Sequence, residues 1–367
     1  MKGIATLVGL MVFVLACAET AWALDVDATI AEAESLLAKG QFDSALDAAD
    51  KAVAAAASNP ETYQCRFRVY VARAQDEDAL ADINRAIELA PGSAKYLAAR
   101  AELRIDRAEY GAALKDLDAA VAADDAYVPA YRFRARANLG AQRPDAAIED
   151  ADMAVVLAPD NADAYVVRGD VRAARGDAAA ARTDYVKATE LAPNGADAWY
   201  GLGACELAQG SYEAALTALD KAVELSPYRV LAYVKRAEAR IGTGNEALVE
   251  PALQDLAKAI ELDGSCAQAR YVRATVERKR EDLAGAVADL RTALALEPGN
   301  ATYRALRDTI FRDDSKRLMD EAEAFLNDGK FDEAAARVRK ALEIDPASEA
   351  FHEALSIIEA QREKRGK

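Results

Sequence analysis

The chain has one histidine, His352, and four cysteines in 367 residues. Such scarcity excludes Ser/His and Cys/His nucleophilic pairs over nearly all of it, and no Cys or His cluster has the spacing of metal ligands. Gly-rich phosphate loops are absent as well. Aromatic residues are only 7% of the chain, whereas hydrophobic residues as a whole are 52%, so the core must be built from alanine, leucine and valine. Basic residues are outnumbered: 46 Lys and Arg stand against 62 Asp and Glu, a net charge of −16. A surface of that sign repels phosphate backbones and argues against nucleic acid as a partner. The apolar run Gly3–Val14 is too short to cross a bilayer.

What the chain does have is a period. Ala196–Arg229 comprises two short amphipathic segments joined at Gly210-Ser211 and stopped by Pro227. Shifting it by 34 residues places Ala222 on Ala188, Ala154, Ala120, Ala86 and Ala52, and with small corrections on Ala259, Ala293 and Ala341. A second column runs through Ala45, Ala79, Ala113, Ala147, Ala181, Ala215, Ala252, Ala286 and Ala334. The columns lie seven residues apart, so they share one face of a helix, and only a methyl group fits where helices approach closely. A third small column, Ala33, Ala101, Ala135, Gly169, Gly203, Ala237, Ala274 and Ala322, has one exception at Phe67. Pro91, Pro159, Pro193, Pro227, Pro298 and Pro346 close the period, because proline does not continue a helix.

These residues resemble the tetratricopeptide repeat. Trp199, Leu202 and Gly203 give its W-x2-L-G, followed by Ala215, Leu219, Ala222 and Pro227, while Glu206 departs from the pattern by replacing an aromatic. The resemblance covers about Val26 to Ala347. It implies an all-α fold, an α-solenoid that forms a right-handed superhelix of about nine helical hairpins with a C-terminal capping helix. Repeats start near residues 26, 60, 94, 128, 162, 196, 230 and 267, within an array spanning 24–299. The seventh carries three extra residues in the Gly242–Pro251 turn. Between Ala293 and Ala341 lie 48 residues instead of 34. The surplus is close to four helical turns. Residues 300–347 therefore hold an extended helix and the final hairpin, the alternative being a break near Asp313–Ser315. Residues 348–367 form a capping helix, with Phe351, Leu355 and Ile358 inward, and a charged tail.

Residues 1–23 form an expected secretory signal peptide: Lys2, the apolar run, then Ala21-Trp22-Ala23 as a cleavage site. An alternative exit is Val14-Leu15-Ala16-Cys17, similar to a lipobox, which would lipidate Cys17. Either way the protein is exported, periplasmic or secreted in the first case and a membrane-anchored lipoprotein in the second. Cys65, Cys205 and Cys266 remain, without CxxC spacing, as small structural residues rather than a disulfide or a metal site.

Six repeats pair an arginine just before the small column with an aspartate in the second helix: Arg66/Asp82, Arg100/Asp116, Arg134/Asp150, Arg168/Asp184, Arg236/Asp255 and Arg273/Asp289. Leu202 and Ala218 lose both charges together, and Glu321 with Arg337 reverses them. Joint loss and reversal point to a contact across each hairpin, a bidentate fork, rather than to a ladder for anionic ligands.

By analogy with the family, first helices line a concave groove that takes a protein or peptide segment. Arg68, Arg132, Arg136, Tyr200, Tyr271 and Arg278 are the residues expected to face it, with Arg132 and Arg136 one turn apart and able to hold a carboxylate. The family's carboxylate clamp for chaperone C-termini needs asparagines that are missing here. The expectation is a non-catalytic interaction scaffold outside the cytoplasm, with no cofactor, no metal and no nucleic acid. The alternative is a lipid-anchored component of an envelope complex, with membrane contact only through Cys17.

Overall fold

A computed structural model of the chain describes residues 25–365; the expected signal peptide, Cys17 and the last two residues lie outside them. The described residues are helical throughout, without a strand. They divide by compactness into two units, ending and beginning at Leu191 and Ala192.

The first unit consists of five helical hairpins: α1 (Val26–Ala38) with α2 (Phe42–Ala55), α3 (Pro60–Ala72) with α4 (Asp76–Leu89), α5 (Ala94–Asp106) with α6 (Tyr110–Ala123), α7 (Val128–Gly140) with α8 (Pro144–Leu157), and α9 (Ala162–Ala174) with α10 (Ala178–Leu191). The second opens with three more: α11 (Ala196–Ala208) with α12 (Tyr212–Leu225), α13 (Val230–Gly242) with α14 (Val249–Leu262), and α15 (Ala267–Lys279) with α16 (Leu283–Leu296). Each unit is thus an α-solenoid in which every helix packs on the helices before and after it.

The alanine columns explain the packing. Every alanine of both second-helix columns is 0% exposed. In the third column, a Cβ built on Gly203 would lie 2.6 Å from Leu219 Cγ, and one on Gly169 would lie 2.7 Å from the Tyr185 ring. Hydrogen is therefore the only substituent that fits there without a shift, and larger groups overpack the joint. Larger aliphatics such as Ile83, Leu117, Leu219, Leu256 and Leu290 fill the spaces the small residues leave, and are also fully buried.

Turns follow from local chemistry. Ala90 and Ser226, which precede Pro91 and Pro227, adopt φ −140 and −135° with ψ 76 and 81°, the extended region that proline enforces on its neighbour. Ala56 and Asp124 adopt nearly the same backbone without a following proline, so proline fits this turn rather than creating it. Side chains in the first turn of the next helix tie the turn down. The hydroxyls of Tyr63, Tyr131 and Tyr233 donate to the carbonyls of Ala57, Asp125 and Pro227, and Trp199 Nε1 donates to Pro193 O at 2.8 Å. The tryptophan of the motif is an apolar body with a polar tip that satisfies a turn carbonyl. His352 approaches Pro346 O in the same way, at 3.0 Å, which gives the lone imidazole a structural place.

The extra residues of the seventh repeat form a 3-10 turn, Glu246–Leu248, capped by Asn245. Beyond α16 the backbone is helical from Ala301 to Asn327: α17 (Ala301–Thr309), a π segment (Ile310–Asp314) and α18 (Ser315–Asn327). The π segment includes the charged run Arg312-Asp313-Asp314. Ile310 and Leu318 are 0% exposed, in one core with Leu290 of α16 and with Ala341 and Ile344 of α19 (Phe331–Ile344). The added turns thus seat the final hairpin on α16. A last helix, α20 (Glu349–Arg365), closes the second unit with Ile358 buried and Phe351 and Leu355 partly buried against α18 and α19.

Candidate functional site

All six arginine and aspartate pairs are bidentate forks between the two helices of a hairpin. In the third, Arg134 Nε and Nη2 donate to Asp150 Oδ2 and Oδ1 at 2.9 and 2.6 Å. The same geometry recurs at Arg66/Asp82, Arg100/Asp116, Arg168/Asp184, Arg236/Asp255 and Arg273/Asp289, with every distance between 2.6 and 3.0 Å. The aspartates are 2–6% exposed. Hydrogen bonding to Asp82 and Asp150 raises the pKa of Arg66 and Arg134 above the usual guanidinium value, against the opposing effect of burial. The reversed pair is also in contact, with Arg337 Nε 2.6 Å from Glu321.

Two further partners of these arginines were not apparent from the column pairs. The free Nη1 reaches the second helix of the preceding hairpin, from Arg66 to Asp50, Arg100 to Asn84, Arg134 to Asp118 and Arg236 to Asp220, at 2.7–2.9 Å. The guanidinium face rests on the ring three residues earlier: Arg134 over Tyr131 at 5.6 Å, and Arg236 over Tyr233 at 5.5 Å. Such stacking is cation–π contact. In three repeats a second arginine one turn on, Arg104, Arg172 or Arg240, shares the aspartate. Glu277 stands at that position after Arg273; burial and then the Asp289 charge push its carboxyl up to about 7. The arginine row is committed to holding hairpins together and to their neighbours, and leaves no ladder for anionic ligands.

The residues expected to face the groove are placed as follows. Arg68, on α3, pairs with Glu34 of α1 at 2.5 Å. Arg132 and Arg136 flank the Phe133 ring but reach in opposite directions: Arg132 to Asp163 of α9 at 2.7 Å, Arg136 to Glu102 and Asp106 of α5 at 3.6 and 3.5 Å. In the second unit, the Arg229 guanidinium lies over Tyr200 at 4.1 Å and pairs with Asp197. Tyr271 stacks on Tyr303 at 5.0 Å, and Arg278 Nε donates to the buried Asp314 of the π segment at 2.7 Å. Arg278 thereby anchors the extended helix.

First helices of the first unit adjoin one another, α1 with α3, α5 with α7 and α7 with α9. Along this face lies a cleft of about 460 Å³, running from Leu37 and Phe42 across α3 to Glu102 and Asp106 of α5, with Arg68 on its wall. Phe42 and Val71 are 41 and 39% exposed there. Cys65, Cys205 and Cys266 are buried thiols, and burial pushes Cys65 up to about 11, away from the reactive thiolate. Among the described residues, no group of His, Cys, Asp and Glu is arranged to hold a metal ion, and no helix is long and apolar enough to cross a membrane.

Stacked hairpins joined by interhelical charge forks define an α-solenoid of interaction-repeat type. Residues 162–230 and 249–301 match the family described as tetratricopeptide repeat. These two stretches are tetratricopeptide repeats. Its fold is similar to the crystal structure of a tetratricopeptide repeat protein from Parabacteroides merdae, with 16% identity, TM-score 0.51, and coverage of 67% of this chain and 96% of that one. It is also similar to a monomeric IFIT1 mutant solved with m7Gppp-AAAA, at 14% identity and TM-score 0.62, over 84% of this chain and 79% of the other. No curated protein sequence matches the chain.

Proposed function

We propose that this protein is a non-catalytic scaffold that works outside the cytoplasm and holds a protein or peptide segment along the first-helix face of its hairpins. The observation that carries this reading is a division of labour. The half-buried fork arginines are consumed in joining the hairpins, while the first-helix face of residues 25–191 keeps an open cleft with exposed Phe42 and Val71. Exposed aromatic and aliphatic side chains beside charged rims are the usual makings of a peptide-binding surface. The IFIT1 neighbour holds a capped oligonucleotide, but a net charge of −16 sets this chain against a phosphate ligand. Export rests on Lys2, the Gly3–Val14 run and Ala21-Trp22-Ala23. Cys17 in its lipobox-like setting supports a second reading, a lipid-anchored component of an envelope complex.

The test is capture of partners from envelope extract by the intact chain and by a variant with Arg132 and Arg136 replaced by alanine. A change in the amount of captured partner in the variant, in either direction, supports the groove. Identical capture by both overturns the assignment of these arginines to it.

A further inference from the structure

Phe67 is the one bulky residue in a column that is otherwise alanine or glycine. Its ring is 7% exposed and packs with Ile83, Tyr96 and Leu103, so it reaches from α3 past its own partner helix to α5. In other hairpins the small residue meets its own second helix, as Gly203 meets Leu219; the Phe67 ring outgrows that space and extends to α5, coming between two first helices. The contacts agree: α3 and α5 adjoin far less than α1 and α3, α5 and α7, or α7 and α9. The cleft described above lies at this parting, and Phe67 and Leu103 form its apolar floor between the exposed rims of Phe42 and Val71.

The charge at the cleft is unbalanced. Arg68 is occupied by Glu34 at 2.5 Å. Glu102 and Asp106, on the opposite wall, share one guanidinium, that of Arg136, at 3.6 and 3.5 Å. Those separations exceed hydrogen-bond distance. Burial raises the Glu102 carboxyl above its usual range, with Arg136 only partly opposing. Two carboxylates over an apolar floor, in a chain with 16 excess negative charges, suit a cation with an aliphatic stem.

We propose that this cleft takes a lysine or arginine side chain flanked by apolar residues in the bound segment, the stem lying on Phe67 and Leu103 and the head on Glu102 and Asp106. The flanking apolar residues meet Phe42 and Val71. The inference rests on the groove reading and makes it specific: Phe67 opens the site, Glu102 and Asp106 choose the residue, and Arg136 is the internal competitor for them.

Fluorescence anisotropy of a labelled, end-blocked peptide with Leu-Arg-Phe at its centre, titrated with the full chain, tests this. Replacing the peptide arginine with glutamate is expected to weaken binding about tenfold or more, and so is Phe67→Ala. Val71→Asp, on the exposed rim, gives the same loss without touching the core, so a fold defect in Phe67→Ala does not decide the outcome. Glu102→Gln with Asp106→Asn abolishes the preference for arginine over glutamate. Arg136→Ala strengthens binding by about two- to five-fold, the release of a partly exposed ion pair. Equal binding of the arginine and glutamate peptides overturns the proposal, and so does binding indifferent to both Phe67→Ala and Val71→Asp. Loss of self-association in Val71→Asp, without any peptide binding by the parent, assigns the cleft to a second copy instead and also overturns it. A natural partner still captured by both cleft variants leaves the groove reading standing and removes this inference alone.

Discussion

Asp150 is 6% exposed, with both carboxylate oxygens held by the Arg134 fork. Its energetics follow from that enclosure: a buried charge that loses its partner keeps the desolvation cost without the attraction. Asp150→Ala is therefore expected to cost about 3–5 kcal/mol, whereas Arg134→Leu combined with Asp150→Ala is expected to be near neutral. Thermal melts followed by circular dichroism check this. Equal losses in the single and double variants would show that the fork is not the unit of stability. The hairpin with Leu202 and Ala218 is the natural counterpart of the double variant, since it packs Gly203 on Leu219 with no fork at all. The fork was legible in the sequence because charges vanished and reversed in pairs. Its third arm was not, because Asp50, Asn84, Asp118 and Asp220 lie on a side of the helix where polar residues look like a solvated face. Only the distances distinguish a cross-hairpin contact from a surface charge.

At the scale of the hairpin, the turn between its two helices sets the strain. Gly40, Gly176, Gly210 and Gly329 adopt φ between 70 and 83° at the same place in their repeats where Ala74 and Ala108 are forced to 54 and 57°. Alanine resists that left-handed conformation because its Cβ crowds the following carbonyl. Ala108→Gly is expected to stabilise the hairpin by about 0.5–1 kcal/mol, the relief of strain less the added chain entropy of glycine. A higher urea midpoint with an unchanged slope is the expected result; a lower midpoint would contradict it. Gly210-Ser211 made this turn legible in one repeat, while alanine at the same place in others disguised the conformation. The extended helix was legible through its surplus of about four turns, but the π segment was not. It forms where Asp314 turns in to meet Arg278 of α15, and a periodicity count contains no trace of that distant partner.

For the molecule as a whole, repetition fixes which faces do structural work and leaves visible the places where the pattern departs. The second-helix faces are filled by alanine, and the arginine forks bind six hairpins internally and most of these to the one before. The first-helix face of residues 25–191 carries the departure, where Phe67 breaks the small column and a cleft opens beside it. The sequence disclosed Phe67 as an exception but not its direction, since a column of small residues records that helices meet without recording which neighbour a ring would enter. Arg68, Arg132 and Arg136 were expected on this face from the family analogy, while Glu102 and Asp106 gained meaning only from their shared, stretched contacts with Arg136.

The central claim is that partners dock on the first-helix face. Its most direct test is a photoreactive amino acid placed in turn at Val71 on α3 and at Val156 on α8, which are 39 and 73% exposed, in cells that make the protein. Docking on the first-helix face predicts partner cross-links from position 71 and none above background from position 156, despite the greater exposure of the latter. Cross-links from 156 equal to or stronger than those from 71 would contradict it.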